Sequence, residues 1–245
     1  MRPKTFIQDI IDDIIPMYAI GNDYFDYLFS RGYRMLGDSF ICHNKDFLIR
    51  FIDVNTIPLR INLEKFTYSK SQNLVKKRHS HLSHIMVNTT VRSIEKELFT
   101  KHYPRVSRDN YANLLDFIPP TEFFEERSKK FNVSCEMNEE WIAASYIHWG
   151  DEAVSATYCI FDPEKGKKLN LGTYTMLLEI DYALRLNKKY YYLGYAYDLP
   201  SHFDYKFNFH GLEYYNWSDR KWYPQPRLPL QNWRTQLLIE HDIEY

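Results

Sequence analysis

Residues 141–195 constrain the fold more than any other stretch of this chain. Trp141 to Trp149 is apolar enough for a strand, and Ala153 to Phe161 (AVSATYCIF) reads as a second. Asp162-Pro163 and the EKGKK stretch follow as a loop. Gly172-Thr173 then opens a patterned helix, TYTMLLEIDYALRLN, with Tyr174, Leu177, Leu178, Tyr182 and Leu186 along one side. A short aromatic strand, Tyr190 to Tyr195 (YYYLGY), comes next. Strand, helix and strand in that succession form a βαβ unit, and a crossover of this length makes the two strands parallel.

The flanks complete an α+β class with a mixed sheet and helices, plus a smaller N-terminal α/β region. Ile7, Ile10, Ile11, Ile14 and Ile15 recur at helical spacing and predict helix over 7–36. FLIRFIDV and PLRINLEKF read as extended over 47–66, and Ser71 to Leu82 as the start of a helix capped by Ser69 or Ser71. Phe117-Ile118-Pro119-Pro120 breaks the chain. Residues 201–209 predict a short helix, and 213–217 with 221–223 a closing hairpin around Ser218-Asp219-Arg220.

Composition excludes several classes. In 245 residues, 16 Phe, 21 Tyr and 5 Trp carry far more buriable surface than a disordered chain. No apolar run approaches the roughly 20 residues of a membrane span, so no membrane partner is expected. The N-terminal MRPKTFIQDIIDDII has acids within its apolar stretch and does not read as a signal peptide. Cys42, Cys135 and Cys159 are odd in number with no CxxC, which argues against a disulfide framework and for a cytoplasmic protein. On a helix only His81 and His84 of His79-x-His81-x-x-His84 share a face, so no metal site is expected. Net charge is −1, yet Arg60 to Arg92 holds seven basic residues against Glu64. That stretch is +6, and a local block of this kind predicts an anionic partner held on one patch.

Neither GxxxxGK[ST] nor GxGxxG occurs, which sets nucleotide hydrolysis and hydride transfer aside. Gly172 at a helix start offers a place for an anion or simply a tight loop-to-helix entry. The topology is compatible with the acetyl-CoA N-acyltransferase (GNAT-type) superfamily. Its pyrophosphate loop is reduced to a single glycine in KKLNLGTY, which leaves room for an acyl donor other than coenzyme A.

Asp151 to Asp162, Leu171-Gly172-Thr173-Tyr174, Tyr192-Leu193-Gly194-Tyr195, Tyr205-Lys206-x-x-Phe209 and Gly211-Leu212-Glu213 fall in a recognisable order and spacing. So do Gly32-Tyr33-Arg34-x-x-Gly37, Pro58-Leu59-Arg60-Ile61, Phe66 and Ser69-Lys70-Ser71-Gln72. Over about residues 24–223 the chain resembles the arginyl-tRNA–protein transferase family, which includes the bacterial leucyl-tRNA–protein transferases. The resemblance implies transfer of an aminoacyl group, arginine or leucine, from charged tRNA to the N-terminal α-amine of proteins beginning with Asp or Glu, the acidic N-degrons. It implies an N-terminal recognition region (1–92) and an acyltransferase-like catalytic domain (93–245), with no cofactor. The family's C-x-x-C-x-x-C cluster corresponds to Arg50, Asp53 and Thr56 here, so its metal or redox regulation does not carry over.

The chemistry needs an amine and an activated ester held in attack geometry, and a place for the oxyanion. Lys206 is the residue expected to meet negative charge, on the oxyanion or the terminal ribose–phosphate, unless it forms a structural salt bridge. Tyr195 and Tyr197 are placed to orient the ester or stack on the terminal adenine, or else pack in the core. Asp198, with His202 and Asp204, is nearest for proton transfer, although either Asp also suits a loop cap. Arg34 and Arg60 fit a substrate carboxylate; for Arg60 the structural alternative is pairing with Glu64. Gly172, Thr173, Tyr174 and Phe209 complete the expected substrate site, and Lys70, Gln72, Lys76, Lys77 and Arg78 the tRNA contacts. The competing classes are an acyl-CoA-dependent N-acyltransferase, which coenzyme A binding would reveal, and a catalytically inactive tRNA- or degron-binding module.

Overall fold

The structure is a computed structural model that describes residues 10–21, 24–49, 52–105, 113–118, 127–135 and 140–225. The expected break at Phe117 to Pro120 lies partly outside them. Strands β8 (Trp141–Trp149) and β9 (Ala153–Phe161) form an antiparallel hairpin. Helix α5 (Leu171–Arg185) then crosses over to β10 (Tyr190–Tyr197), which runs parallel to β9. The βαβ unit stands as expected.

This unit sits in the middle of a nine-stranded mixed sheet. On one side follow β7 (Ser128–Cys135) and then β6 (Leu82–Val87) at the edge. On the other, β5 (Ile52–Asn62) pairs antiparallel with β10, and β4 (Lys45–Ile49) pairs with β5. The hairpin β11 (Leu212–Asn216) and β12 (Lys221–Pro224) closes that side. Strand alternation sends Ala143 and Ile147 of β8 into the core under α5, and Ala144 and Tyr146 into a second core under α3 (Ser93–His102). The sheet is thus covered on both faces. A fully buried ion pair, Lys130 with Glu95, ties α3 to β7.

The N-terminal region departs from the expected 7–36 helix. Pro16 lacks an N–H and would clash with the carbonyl four residues back, so the isoleucine run cannot continue as helix through it. Instead β1 (Asp12–Pro16), β2 (Arg34–Leu36) and β3 (Ser39–His43) form a three-stranded sheet, and among the described residues of that range, which exclude 7–9, only α1 (Phe25–Ser30) is α-helical. Phe25, Phe29 and Phe40 bury against Tyr192 and Ala153 of the large sheet.

Two further elements differ. Residues 162–170 are a helix, α4 (Pro163–Leu169), rather than a loop: the Asp162 carboxylate accepts the N–H groups of Glu164 and Lys165, with Pro163 in the first turn. Asn170, left-handed at φ 50°, separates α4 from α5. Helix α2 (Lys70–Arg78) has the expected Ser69 cap, completed by the Gln72 amide in a capping box, and ends earlier than Leu82, with His79 as its C-cap. The expected 201–209 helix is a 3-10 turn at Asp204–Asn208.

Candidate active site

The two parallel strands of the βαβ unit pair only at Tyr190, Tyr191 and Tyr192, opposite Ala153, Val154 and Ser155. A bulge between Tyr192 and Gly194, with Gly194 at φ 74°, interrupts the register of β10. Beyond it, β5 presents Pro58 opposite Tyr195, a residue with no N–H to give. The Tyr195 carbonyl takes a donor from elsewhere: Lys206 Nζ, at 2.8 Å. The 3-10 turn after β10 delivers that lysine, which is 9% exposed and lies over the Phe203 ring.

A second cation faces the same place. Arg34 on β2 lays its guanidinium 5.0 Å from the Tyr195 ring centroid. Its buried Nε has no hydrogen-bond partner among the described residues. Burial first, and then the charge of Arg34, push the Lys206 ammonium down to about 7. Among the described residues neither cation has a carboxylate in ion-pair range.

Aromatic walls hold the pocket. The Tyr195 hydroxyl donates to the Gly32 carbonyl at 2.7 Å, and its ring meets His43 edge-on at 5.0 Å. Tyr197 donates to Asp46 Oδ2 at 2.7 Å. Burial pushes both phenols up, so they act as neutral donors rather than as bases. His43 and Asp46 escaped the sequence reading; their i,i+3 spacing in the β3–β4 turn was the available signal.

Other expected site residues have different places. Asp198 is locked to Asn55, whose N–H and Nδ2 donate to its two carboxylate oxygens at 3.0 and 2.6 Å while its own N–H reaches the Asn55 carbonyl at 3.1 Å. With both oxygens engaged, it ties the end of β10 to β5, which is the structural alternative to proton transfer. Asp204 accepts the Ser201 N–H as a loop cap, and His202 is exposed beside Phe203. Arg60 has a carboxylate partner within the fold: its Nε and Nη2 bond Glu213 Oε2 at 2.8 Å, its Nη1 reaches the Tyr192 hydroxyl, and it stacks between Tyr190 and Trp222. The structural alternative of an ion pair is met by Glu213 rather than by the expected Glu64. Phe209 is buried in the main core.

Gly172 and Thr173 lie in the first turn of α5, directly after α4, and Tyr174 turns away to stack on His79 at 4.5 Å. Of the expected tRNA contacts, Lys70, Lys77 and Arg78 are exposed on α2. Gln72 is buried, its Nε2 donating to the Asn208 carbonyl, and Lys76 pairs with Asp181 at 2.8 Å. Among the described residues, no group of three or more His, Cys, Asp or Glu is placed to hold a metal ion. No described helix is long and apolar enough to cross a membrane.

Residues 72–216, more than half of the chain, match the family described as arginine-tRNA-protein transferase, C terminus. The chain belongs to that family. An aspartate/glutamate leucyltransferase from Nitrosococcus oceani is 32% identical over 175 residues, 67% of this chain and 69% of the relative. One from Leptospira interrogans is 27% identical over 193 residues, 75% and 69% of the two chains. Among solved structures, L-PGS from Bacillus licheniformis superposes with a TM-score of 0.41 at 11% identity, over 70% of this chain and 48% of that one. As a member of the arginine-tRNA-protein transferase family, this chain is an aminoacyl-tRNA-dependent protein N-terminal transferase.

Proposed function

We propose that the enzyme joins leucine or arginine from its charged tRNA to the α-amine of proteins beginning with Asp or Glu, in the cytoplasm. The observation that carries the acidic specificity is the Arg34–Lys206 pair, two sequestered cations with no carboxylate among the described residues. The names of the relatives, aspartate/glutamate leucyltransferases, support the same acceptors and favour leucine.

In this reading the splay of β9 and β10 past the Gly194 bulge is the acyltransferase-type (GNAT-like) opening. Residues 1–92 supply recognition and 93–245 the reacting end, and both contribute strands to the nine-stranded sheet. Arg34 takes the acceptor's side-chain carboxylate through its fork of N–H donors. The neutral α-amine, whose unperturbed pKa is about 8, attacks the ester carbonyl. The tetrahedral oxyanion forms beside Lys206, the ester C–O bond to ribose breaks, and the amine proton ends on the ribose oxygen. Positioning can supply about 7–11 kcal/mol of the barrier, and a donor at the oxyanion on the order of 3 kcal/mol.

Mass spectrometry of an Asp-initiated peptide after reaction with pooled charged tRNAs tests the class and identifies the residue added. Arg34→Met is expected to raise KM for Asp and Glu acceptors at least tenfold, and Lys206→Met to lower kcat by about a hundredfold or more. No mass gain with either leucyl- or arginyl-tRNA, or equal use of neutral and acidic acceptors, would refute the reading.

A further inference from the structure

Away from the Arg34–Lys206 pocket, α2 and α5 enclose a cleft of about 720 Å³ whose lining includes Lys76, His79, His84, Tyr174, Asp181 and Arg185. Its floor is a parallel stack, His79 on Tyr174, 16° from coplanar. Exposed His81 continues that stack in the same orientation, with its centroid 6.4 Å from that of His79. That interval exceeds the 4.5 Å of the closed pair, and His81, unlike His79, is exposed to solvent.

The polar groups are unbalanced in the same place. His79 is 3% exposed, and its Nδ1 lies 2.5 Å from the Val75 carbonyl, which puts the ring proton on Nδ1. Nε2 is then a buried acceptor, and it has no partner among the described residues. Asp181, the acid of the cleft, is already engaged by Lys76 and the Tyr68 hydroxyl. Lys77, Arg78 and Arg185 have no carboxylate partner among the described residues. Burial and the neighbouring Arg185 lower the His84 imidazole from its ordinary value.

We propose that this cleft and the exposed His81 ring beside it receive one unpaired nucleotide of the tRNA: the base stacks on His81, which continues the His79–Tyr174 stack, and Lys77 and Arg78 on α2 together with Arg185 of the cleft meet the flanking phosphates. Parallel heteroaromatic rings with a cationic rim match single-stranded nucleic acid. An acidic peptide would engage the cations and leave the rings unused. Helix α2 links the cleft to the turn that carries Lys206. Gln72 Nε2 bonds the carbonyl of Asn208, two residues after Lys206, and roughly 10 Å of helix lies between Gln72 and His79. The inference rests on the tRNA-dependent activity and adds a site to it.

Equilibrium binding of uncharged tRNA to the full chain tests it. His81 is exposed, so its variants spare the core. His81→Ala is expected to weaken tRNA binding about tenfold with KM for the acceptor peptide unchanged, whereas His81→Phe stays within twofold of the parent. Arg185→Ala is expected to reduce the slope of log affinity against log salt by about one. Ultraviolet cross-linking of the parent protein is expected to attach nucleotide to the peptide spanning residues 79–84. Parent-like binding by His81→Ala, or adducts only elsewhere, overturns this site while leaving the transferase reading intact. Failure of the parent protein to bind tRNA at all overturns both.

Discussion

Lys206 shows how a single side chain can report its own ligand. A lysine held down to about 7 by burial and by Arg34 is mostly neutral at pH 8. A carboxylate entering beside Arg34 reverses the local field and favours the ammonium, so binding should draw a proton from solution. Calorimetry of an Asp-initiated peptide at pH 8, in buffers of different ionisation heat, is expected to show uptake approaching one proton. Lys206→Met should abolish the uptake, and an Asn-initiated peptide should not produce it. Equal uptake by Lys206→Met would place the titrating group elsewhere. Only part of this site was legible beforehand. Lys206 and Arg34 stand in recognisable motifs, but the structural partners of Arg60 and Asp198 are remote in sequence. Glu213 lies 153 residues from Arg60, and Asn55 lies 143 residues from Asp198. No local pattern encodes such a pairing.

Among elements, the α4–α5 junction separates a structural glycine from one free to serve a ligand. A methyl group at Gly166 would lie 2.2 Å from Phe161 Cδ2, whereas one at Gly172 would meet the same ring at an ordinary 3.5 Å. Gly166→Ala is therefore expected to cost about 1–3 kcal/mol as Phe161 is displaced. Gly172→Ala should hold or raise stability by up to about 1 kcal/mol, through helix propensity. Urea denaturation of the two variants measures the contrast, and equal destabilisation would contradict this packing. A fall in turnover for Gly172→Ala at unchanged stability would assign that glycine to close approach of substrate. The same junction shows why elements were read unevenly. Ser69 with Gln72 encodes a helix start locally, and α2 was legible from it. Asp162-Pro163 signals a turn and a helix cap alike, and only the carboxylate's reach to Glu164 and Lys165 decides between them.

For the molecule as a whole, two buried groups set opposing pH dependences of stability. Glu179 sits in the helix TMLLEID, on the face that packs into the sheet, where Ser145 and Tyr191 both donate to its carboxyl. Desolvation raises its pKa to about 7 despite those bonds. The native state therefore holds this proton longer than the unfolded chain, and stability falls as pH rises from about 4.5 to 7. For Lys206 the sign reverses. Its native pKa is depressed to about 7, so between about 7 and 10.5 the unfolded chain binds the extra proton and stability rises with pH. Each limb has a slope of at most about 1.4 kcal/mol per pH unit, and the two contributions meet in a shared minimum near neutrality. Denaturation midpoints measured from pH 5 to 10 should show Glu179→Gln flattening the acid limb and Lys206→Met the alkaline one, each leaving the other in place. If Glu179→Gln instead shifts stability by the same amount at every pH, the carboxyl does not titrate in this window and the buried network is held by packing alone.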